Sequence, residues 1–197
     1  MSRDGMNYAP EIAAAKPVVQ PGEFTFAAAY FDHGHIYGQV KGLSSAGGVL
    51  KYIYEPEAKR YEHILKDHPG VEVVSDFQVI LDDPEIKLVT AAAIPHLRCG
   101  IGLQVLDAGK DYLTDKSPFT TLEQLASARQ KVKETGQKYM VSYSERLLSE
   151  CTYYAGELIE QGAIGDVLQV LNLAPHNLGS GGRPDWFYKK ECYGGIL

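Results

Sequence analysis

The sequence predicts an α/β fold with a doubly wound parallel sheet, followed by the start of an incomplete α+β second domain. Three observations predict it. From Phe24 to Tyr143, short apolar runs alternate with segments of helical period. The strand-like runs are of low polarity, as in a parallel sheet covered by helices on both faces. After Ser144 the pattern breaks, and the chain becomes rich in glycine and aromatic residues.

The elements follow in order. Met1 to Gly22 carries Pro10, Pro17 and Pro21 with little periodicity and reads as a flexible arm. Phe24 to Tyr30 (F-T-F-A-A-A-Y) suits a buried strand, breaks at Asp32-His33-Gly34, and leads into a helix from Ile36 to Ala46. Gly48 to Tyr54 is the second strand and Glu57 to Lys66 the second helix. Val71 to Val74 is a short strand, Asp76 to Leu81 a helical turn, and Ile86 to Ala93 a strand ending at Ile94-Pro95. Leu97 to Ala108 is a helix stopped by Gly109, and Lys110 to Thr114 is the fifth strand. Thr121 opens a helix to Thr135 with Gln124 three residues on, a capping-box arrangement that satisfies two orphan amides. Tyr139 to Tyr143 is the sixth strand. Beyond it, Ser149 to Gln161 reads as a helix and Asp166 to Leu173 (D-V-L-Q-V-L-N-L) as a strand. One helix and one strand cannot bury their apolar faces alone, so something else must cover them. The domain plan is an arm (1–22), a nucleotide-binding domain (23–144) and the beginning of a second domain (145–197).

The turn after the first strand is where a ligand is expected. A pyrophosphate reaches the amides at a helix N-terminus only where no side chain stands in the way, and Gly34 permits that approach. Against G-x-G-x-x-G, only Gly34 is in place, and taken alone a plain strand-to-helix turn explains it better. The second strand, however, ends in Glu55, twenty-one positions after Gly34, where an acid accepts hydrogen bonds from the adenosine ribose. The combination points to a Rossmann-type site, with Asp32, His33, Gly34, His35 and Ile36 at the pyrophosphate turn and Glu55 on the ribose. A carboxylate there repels a 2′-phosphate and favours NAD. Lys59 and Arg60 leave NADP open.

Composition bounds the partners. With 45% hydrophobic residues, 22% charged and a net charge of −6, the chain shows no general nucleic-acid surface, and a small ligand is expected. Cys99, Cys151 and Cys192 lie far apart without C-x-x-C spacing, which supports neither a zinc site nor a disulfide framework. No apolar run reaches the ~20 residues of a membrane span, and Met1 to Pro21 lacks a secretory core, so a cytoplasmic protein is expected.

The block Ala108-Gly109-Lys110-Asp111-Tyr112-Leu113-Thr114-Asp115-Lys116-Ser117-Pro118 resembles the A-G-K-x-V-x-x-E-K-P segment of the Gfo/Idh/MocA oxidoreductases. Asp115 stands for the usual glutamate and Ser117 for the proline. Gly162-Ala163-Ile164-Gly165-Asp166-Val167 is similar to the step opening that family's second domain, and Tyr193-Gly194-Gly195-Ile196-Leu197 to its G-G-x-L segment. The resemblance implies hydride transfer between NAD(P) and a sugar, polyol or related alcohol. It makes Lys116 the catalytic residue beside the nicotinamide, with Pro95 and Asp115 also at the cofactor. It implies a homo-oligomer assembled through the second domain. It also implies that the family's Asp-x-x-x-His helix lies beyond this sequence, which is read as truncated. The chemistry agrees, because an ammonium near a hydroxyl or carbonyl stabilises oxyanion charge and relays a proton. A non-catalytic nucleotide-binding or partner-binding protein with the same fold is the alternative.

Other residues are weighed beside these. His33 and His35 form an H-x-H pair with no third ligand nearby in sequence, so no metal is expected. His35 either meets phosphate or caps the helix. Arg98 follows Pro95 at the rim of the sheet and is a substrate candidate, although a helix-surface position is the simpler reading. His176, Arg183 and Trp186 lie in the glycine-rich stretch, as sugar contacts or as loop packing. Tyr52, Tyr54, Tyr61, Tyr153 and Tyr154 read as core or half-buried surface.

Overall fold

Alternate residues of the first strand, β1 (Thr25–Ala29), serve two cores. Ala27 and Ala29 pack with Val89, Ala91, Val105 and Tyr112, whereas Phe26 and Ala28 pack with Ile36, Val40, Leu50 and Ile53. The period of two along a strand separates these sets to opposite faces. Both are buried, so the sheet is covered on both sides, as low strand polarity predicts. Burying Phe26 alone stabilises by ~1.5–3 kcal/mol relative to exposure. The structure, a computed structural model, describes residues 16–20, 22–143, 150–173 and 181–194.

Helix α1 (His35–Ser45), β2 (Val49–Tyr54), a 3-10 turn (Ala58–Arg60), α2 (Glu62–Asp67) and β3 (Glu72–Val73) form the first half of the sheet with β1. The predicted helix from Glu57 to Lys66 is thus split in two. Helix α3 (Phe77–Asp82), β4 (Ile86–Ala91), α4 (Pro95–Asp107), β5 (Asp111–Asp115), α5 (Leu122–Thr135) and β6 (Tyr139–Ser142) form the second half. The order is β3-β2-β1-β4-β5-β6, with every pair parallel. Strand order reverses between β1 and β4, where open α/β sheets form a ligand crevice.

Local chemistry explains the boundaries. Helix α4 starts at Pro95, whose preset φ suits a first helical position and whose missing N–H leaves no orphan donor. A Cβ on its Gly102 would stand 2.6 Å from Tyr112 Cδ1, so the glycine lets the helix lie against β5. The Thr121 hydroxyl caps α5 by accepting from the Gln124 amide at 3.2 Å. The return bond is displaced by one residue, because Gln124 Oε1 accepts from Thr120 and not from Thr121. Gly136 closes α5 in the left-handed region.

The described residues divide into two compact units, one of 16–20, 22–142 and 185–194, the other of 143, 150–173 and 181–184. The first unit holds the sheet together with a 3-10 turn (Asp185–Tyr188) and α7 (Lys190–Tyr193). The second holds α6 (Glu150–Glu160). The strand expected over Asp166 to Leu173 does not form, and Leu168, Val170, Leu171 and Leu173 are exposed. Its alternating pattern is suited to a sheet, but no described strand pairs with it, and a lone strand has no ladder bonds to hold it. Tyr153 and Tyr154 are likewise exposed, not half-buried. Among the described residues no helix is long and apolar enough to cross a membrane.

Candidate functional site

The turn after β1 is tied to the sheet by its backbone. Tyr30 adopts a left-handed φ of 55°, uncommon for a residue with a β-carbon. Its amide donates to the Tyr54 carbonyl at 3.0 Å and its carbonyl accepts from Ala92 at 3.1 Å. Its ring meets Tyr54 and Phe77 edge-on at 5.2 and 5.3 Å. Burial, with smaller contributions from Tyr54 and Asp32, pushes the phenol's pKa up to about 12. Gly34 itself is right-handed (φ −62°, ψ −10°) and precedes α1 as its N-cap. Its service is openness rather than an unusual dihedral: a Cβ built there meets only the Tyr37 ring, at 4.0 Å. An open backbone at the N-terminus of an eleven-residue helix fits a phosphate group.

A buried polar cluster stands beside this turn, at the end of β5. Asp115 is 1% exposed. Its Oδ2 lies 3.1 Å from His33 Nδ1 and 3.3 Å from Arg98 Nη2. Its Oδ1 lies 2.9 Å from His35 Nδ1 and accepts from the Lys116 amide at 2.8 Å. Burial by itself would raise the carboxyl pKa. Hydrogen bonds from His33 and His35, with the charge of Arg98, outweigh it and hold the group below its usual range.

Arg98 is not on the helix surface. It is 1% exposed, and its guanidinium also donates to Ala93 O at 2.6 Å and Ser117 O at 3.1 Å. Burial lowers its pKa, against the opposing pull of Asp115. The arginine thereby clamps the end of β4 to the Asp115–Ser117 segment. Lys116 is half-buried, and its peptide bond to Ser117 is cis. The sequence offered one sign of this clamp: Arg98 lies in L-R-C-G-I-G-L, a stretch with no polar face to present to water.

Glu55, past the end of β2, is also buried, at 4% exposure. Its Oε2 accepts from the Phe31 amide at 2.8 Å, and its Oε1 accepts from the Glu57 amide at 3.0 Å and Arg60 Nη1 at 3.3 Å. Three of about four acceptor positions are therefore used within the chain. Arg60 also reaches Asp32 at 3.2 Å and Glu57 at 2.8 Å, and its carbonyl accepts from the Tyr37 hydroxyl at 2.9 Å.

The remaining candidates are placed as follows. The Ile36 side chain is buried in the core, and its amide donates to His33 O at 3.3 Å, leaving little for a ligand. Pro95 is buried at the start of α4. The His33 ring contacts Trp186 at 6.5 Å and Phe187 at 6.0 Å. Trp186 thus joins the cluster, along with Phe187, which the sequence reading did not single out. Arg183 belongs to the other unit, and His176 lies outside the described residues. For the H-x-H pair, folding supplies the third group that sequence proximity lacked: Asp115 brings its carboxylate to His33 and His35, all ligand atoms lying within 4.8 Å of one another.

Comparison with known proteins accords with this architecture. A family model, GFO_IDH_MocA, described as "Oxidoreductase family, NAD-binding Rossmann fold", matches residues 27–143, more than half of the chain. Levoglucosan dehydrogenase of Pseudarthrobacter phenanthrenivorans is 33% identical over 94 residues, covering 48% of this chain and 24% of that protein. Uncharacterized oxidoreductase YhhX of Escherichia coli (strain K12) is 31% identical over 117 residues, covering 59% of this chain and 31% of that protein. The crystal structure of a candidate oxidoreductase from Erwinia carotovora atroseptica SCRI1043 superposes with a TM-score of 0.83 at 39% identity, covering 88% of this chain and 52% of that one. The chain thus corresponds to at most about half the length of these relatives. From strand order, the open turn and the family match together, the chain belongs to the Gfo/Idh/MocA oxidoreductase family, with its NAD-binding Rossmann fold.

Proposed function

We propose that this chain supplies the cofactor side of an NAD(P)-dependent oxidoreductase that transfers hydride between a nicotinamide and a sugar, polyol or related alcohol, with NAD preferred. One observation carries the reading: the open Gly34 turn and the Asp115–Lys116 strand end meet at the crevice where strand order reverses. The sugar class is supported by the similarity to levoglucosan dehydrogenase, a protein whose structure is known with NADH and levoglucosan.

When bound, the nicotinamide supplies the hydride acceptor or donor. In alcohol oxidation the carbon-bound hydrogen leaves with its electron pair, and the hydroxyl proton must pass to a base. Lys116 stabilises the developing oxyanion and relays that proton. Asp115 positions Lys116 by accepting its amide hydrogen, and Arg98 holds Asp115. His33, Gly34 and His35 line the pyrophosphate turn, and Trp186 is the aromatic face offered to a sugar ring. The same reading makes the full-length parent a cytoplasmic homo-oligomer assembled through its second domain.

The test joins kinetics to calorimetry. Assayed in a full-length parent with NAD and a panel including levoglucosan, Lys116→Ala lowers kcat by at least ~100-fold at nearly unchanged NAD affinity. Near-normal turnover in that variant rules out the role. Asp32 favours a second reading, a non-catalytic nucleotide-binding or partner-binding protein, because its carboxylate lies in the turn that should receive pyrophosphate. NAD binding without turnover of any panel member by a full-length parent that carries the Asp-x-x-x-His helix would select it.

A further inference from the structure

We propose that His33, His35 and Asp115 bind one divalent transition-metal ion of the zinc class (Zn²⁺, Co²⁺, Ni²⁺ or Fe²⁺) through two imidazoles and one carboxylate. The inference does not rest on the hydride-transfer reading, since ion binding is measured without nucleotide or substrate.

Geometry is the first argument. The two Nδ1 atoms lie 3.1 and 2.9 Å from the two oxygens of a single carboxylate. Zinc-class ions hold nitrogen and oxygen ligands at ~2.0–2.2 Å, so neighbouring ligands stand ~2.8–3.6 Å apart, from octahedral to tetrahedral arrangements. The two nitrogen–oxygen separations fall in that range, and all three ligand atoms lie within 4.8 Å of one another. A lone pair on an imidazole nitrogen and a carboxylate oxygen repel at such distances unless a positive centre lies between them, either a proton on the ring or a shared cation. Here the demand arises twice around one carboxylate.

The surroundings are the second argument. Ligating carboxylates are themselves fixed by outer hydrogen bonds, and Asp115 has the Arg98 guanidinium and the Lys116 amide for that purpose. Asp115 is buried, whereas His33 and His35 are 23% and 37% exposed, which leaves an entry path. Imidazole with carboxylate suits zinc, cobalt, nickel or iron rather than magnesium or calcium, which prefer oxygen alone. Arg98 already balances Asp115, and the N-terminus of α1 adds positive potential. The ion therefore carries an oxygen anion, such as hydroxide or phosphate, at its open positions. Where that ligand exchanges for a neutral oxygen, the ion would act as a Lewis acid within the crevice.

The experiment uses the full chain, stripped of metal, with Cys151→Ser and Cys192→Ser to remove accessible thiols. Co²⁺ is titrated by visible absorption and Zn²⁺ by calorimetry, with and without inorganic phosphate. The expected result is one ion per chain, tighter with phosphate, and weakened at least ~100-fold by His33→Ala or His35→Ala. Either single variant that keeps its circular dichroism spectrum suffices. His63→Ala and His68→Ala, which alter histidines outside the cluster, leave affinity unchanged. Absence of saturable binding, or binding that survives loss of both His33 and His35, overturns the proposal and leaves a proton-bridged network.

Discussion

Glu55 and Asp115 stand at the C-terminal ends of β2 and β5, on either side of the point where strand order reverses, and both are nearly excluded from water. Their partners differ in kind. Glu55 is held by the backbone amides of Phe31 and Glu57, with the half-exposed Arg60 on one oxygen. Asp115 is held chiefly by side chains, namely His33, His35 and Arg98, with one amide from Lys116. A carboxylate surrounded by amides is a staple, because amides neither titrate nor depart. One surrounded by imidazoles can exchange protons, ions or ligands. Both grip the same β1–α1 turn, at Phe31 from one side and at His33 and His35 from the other.

The largest expected effect separates the two acids by stability. Asp115→Asn leaves the Arg98 guanidinium buried without its counter-ion, and unfolding in urea at pH 7 should show a loss of ~3–5 kcal/mol. The pH dependence carries a defined sign. Because the folded pKa lies below the ordinary value of 3.8, the stabilisation is complete above about pH 4. It is lost as pH falls through the folded pKa, and the Asn variant lacks that acid-dependent component. If wild type and variant lose stability in parallel below pH 4, Asp115 is not the distinctive carboxylate described above.

A smaller effect is expected at Glu55. In Glu55→Gln a side-chain NH₂ faces backbone donors in a buried setting, which should cost ~1–3 kcal/mol of stability. Faster hydrogen exchange at the Phe31 and Glu57 amides would locate the damage. Glu55→Ala should also weaken NAD binding by ~1–3 kcal/mol if the remaining lone pair serves the ribose. Undiminished affinity would confine this residue to its staple role.

Arg60→Ala should change stability least, within about 1 kcal/mol, because a partly solvated guanidinium contributes modestly to its ion pairs. Its effect should fall on cofactor choice, as a lower NADP-to-NAD affinity ratio in paired titrations. A large stability loss instead would show that Arg60 belongs to the buried network and that the contrast with Arg98 is overstated.

The six-stranded alternation, the Thr121 cap and the glycine stops were legible because each is written within a few residues. The strand expected at Asp166 to Leu173 failed for the complementary reason: alternation records which faces suit a sheet, and only a paired neighbour makes the strand. Glu55 was found by its spacing from Gly34, yet its amide partners were not, since the Phe31 contact depends on how β1 and β2 align in the sheet. Likewise no local pattern marks Tyr30 as left-handed; its ring gains the contacts of Tyr54 and Phe77, which only the folded chain supplies.

By itself the sequence determined the parallel sheet, its order of elements, the open turn at Gly34 and the Asp115–Lys116 strand end. The first three rest on local periodicity and on short-range turn chemistry, and the last on the resemblance of Ala108 to Pro118 to a family segment. Tertiary structure alone decided that His33 and His35 share the carboxylate of Asp115, eighty residues from His35, and that Arg98 is buried behind it. No local pattern encodes that meeting. It follows from packing β1 against β4 and β4 against β5, which brings three strand ends together and encloses their charges in one low-dielectric space.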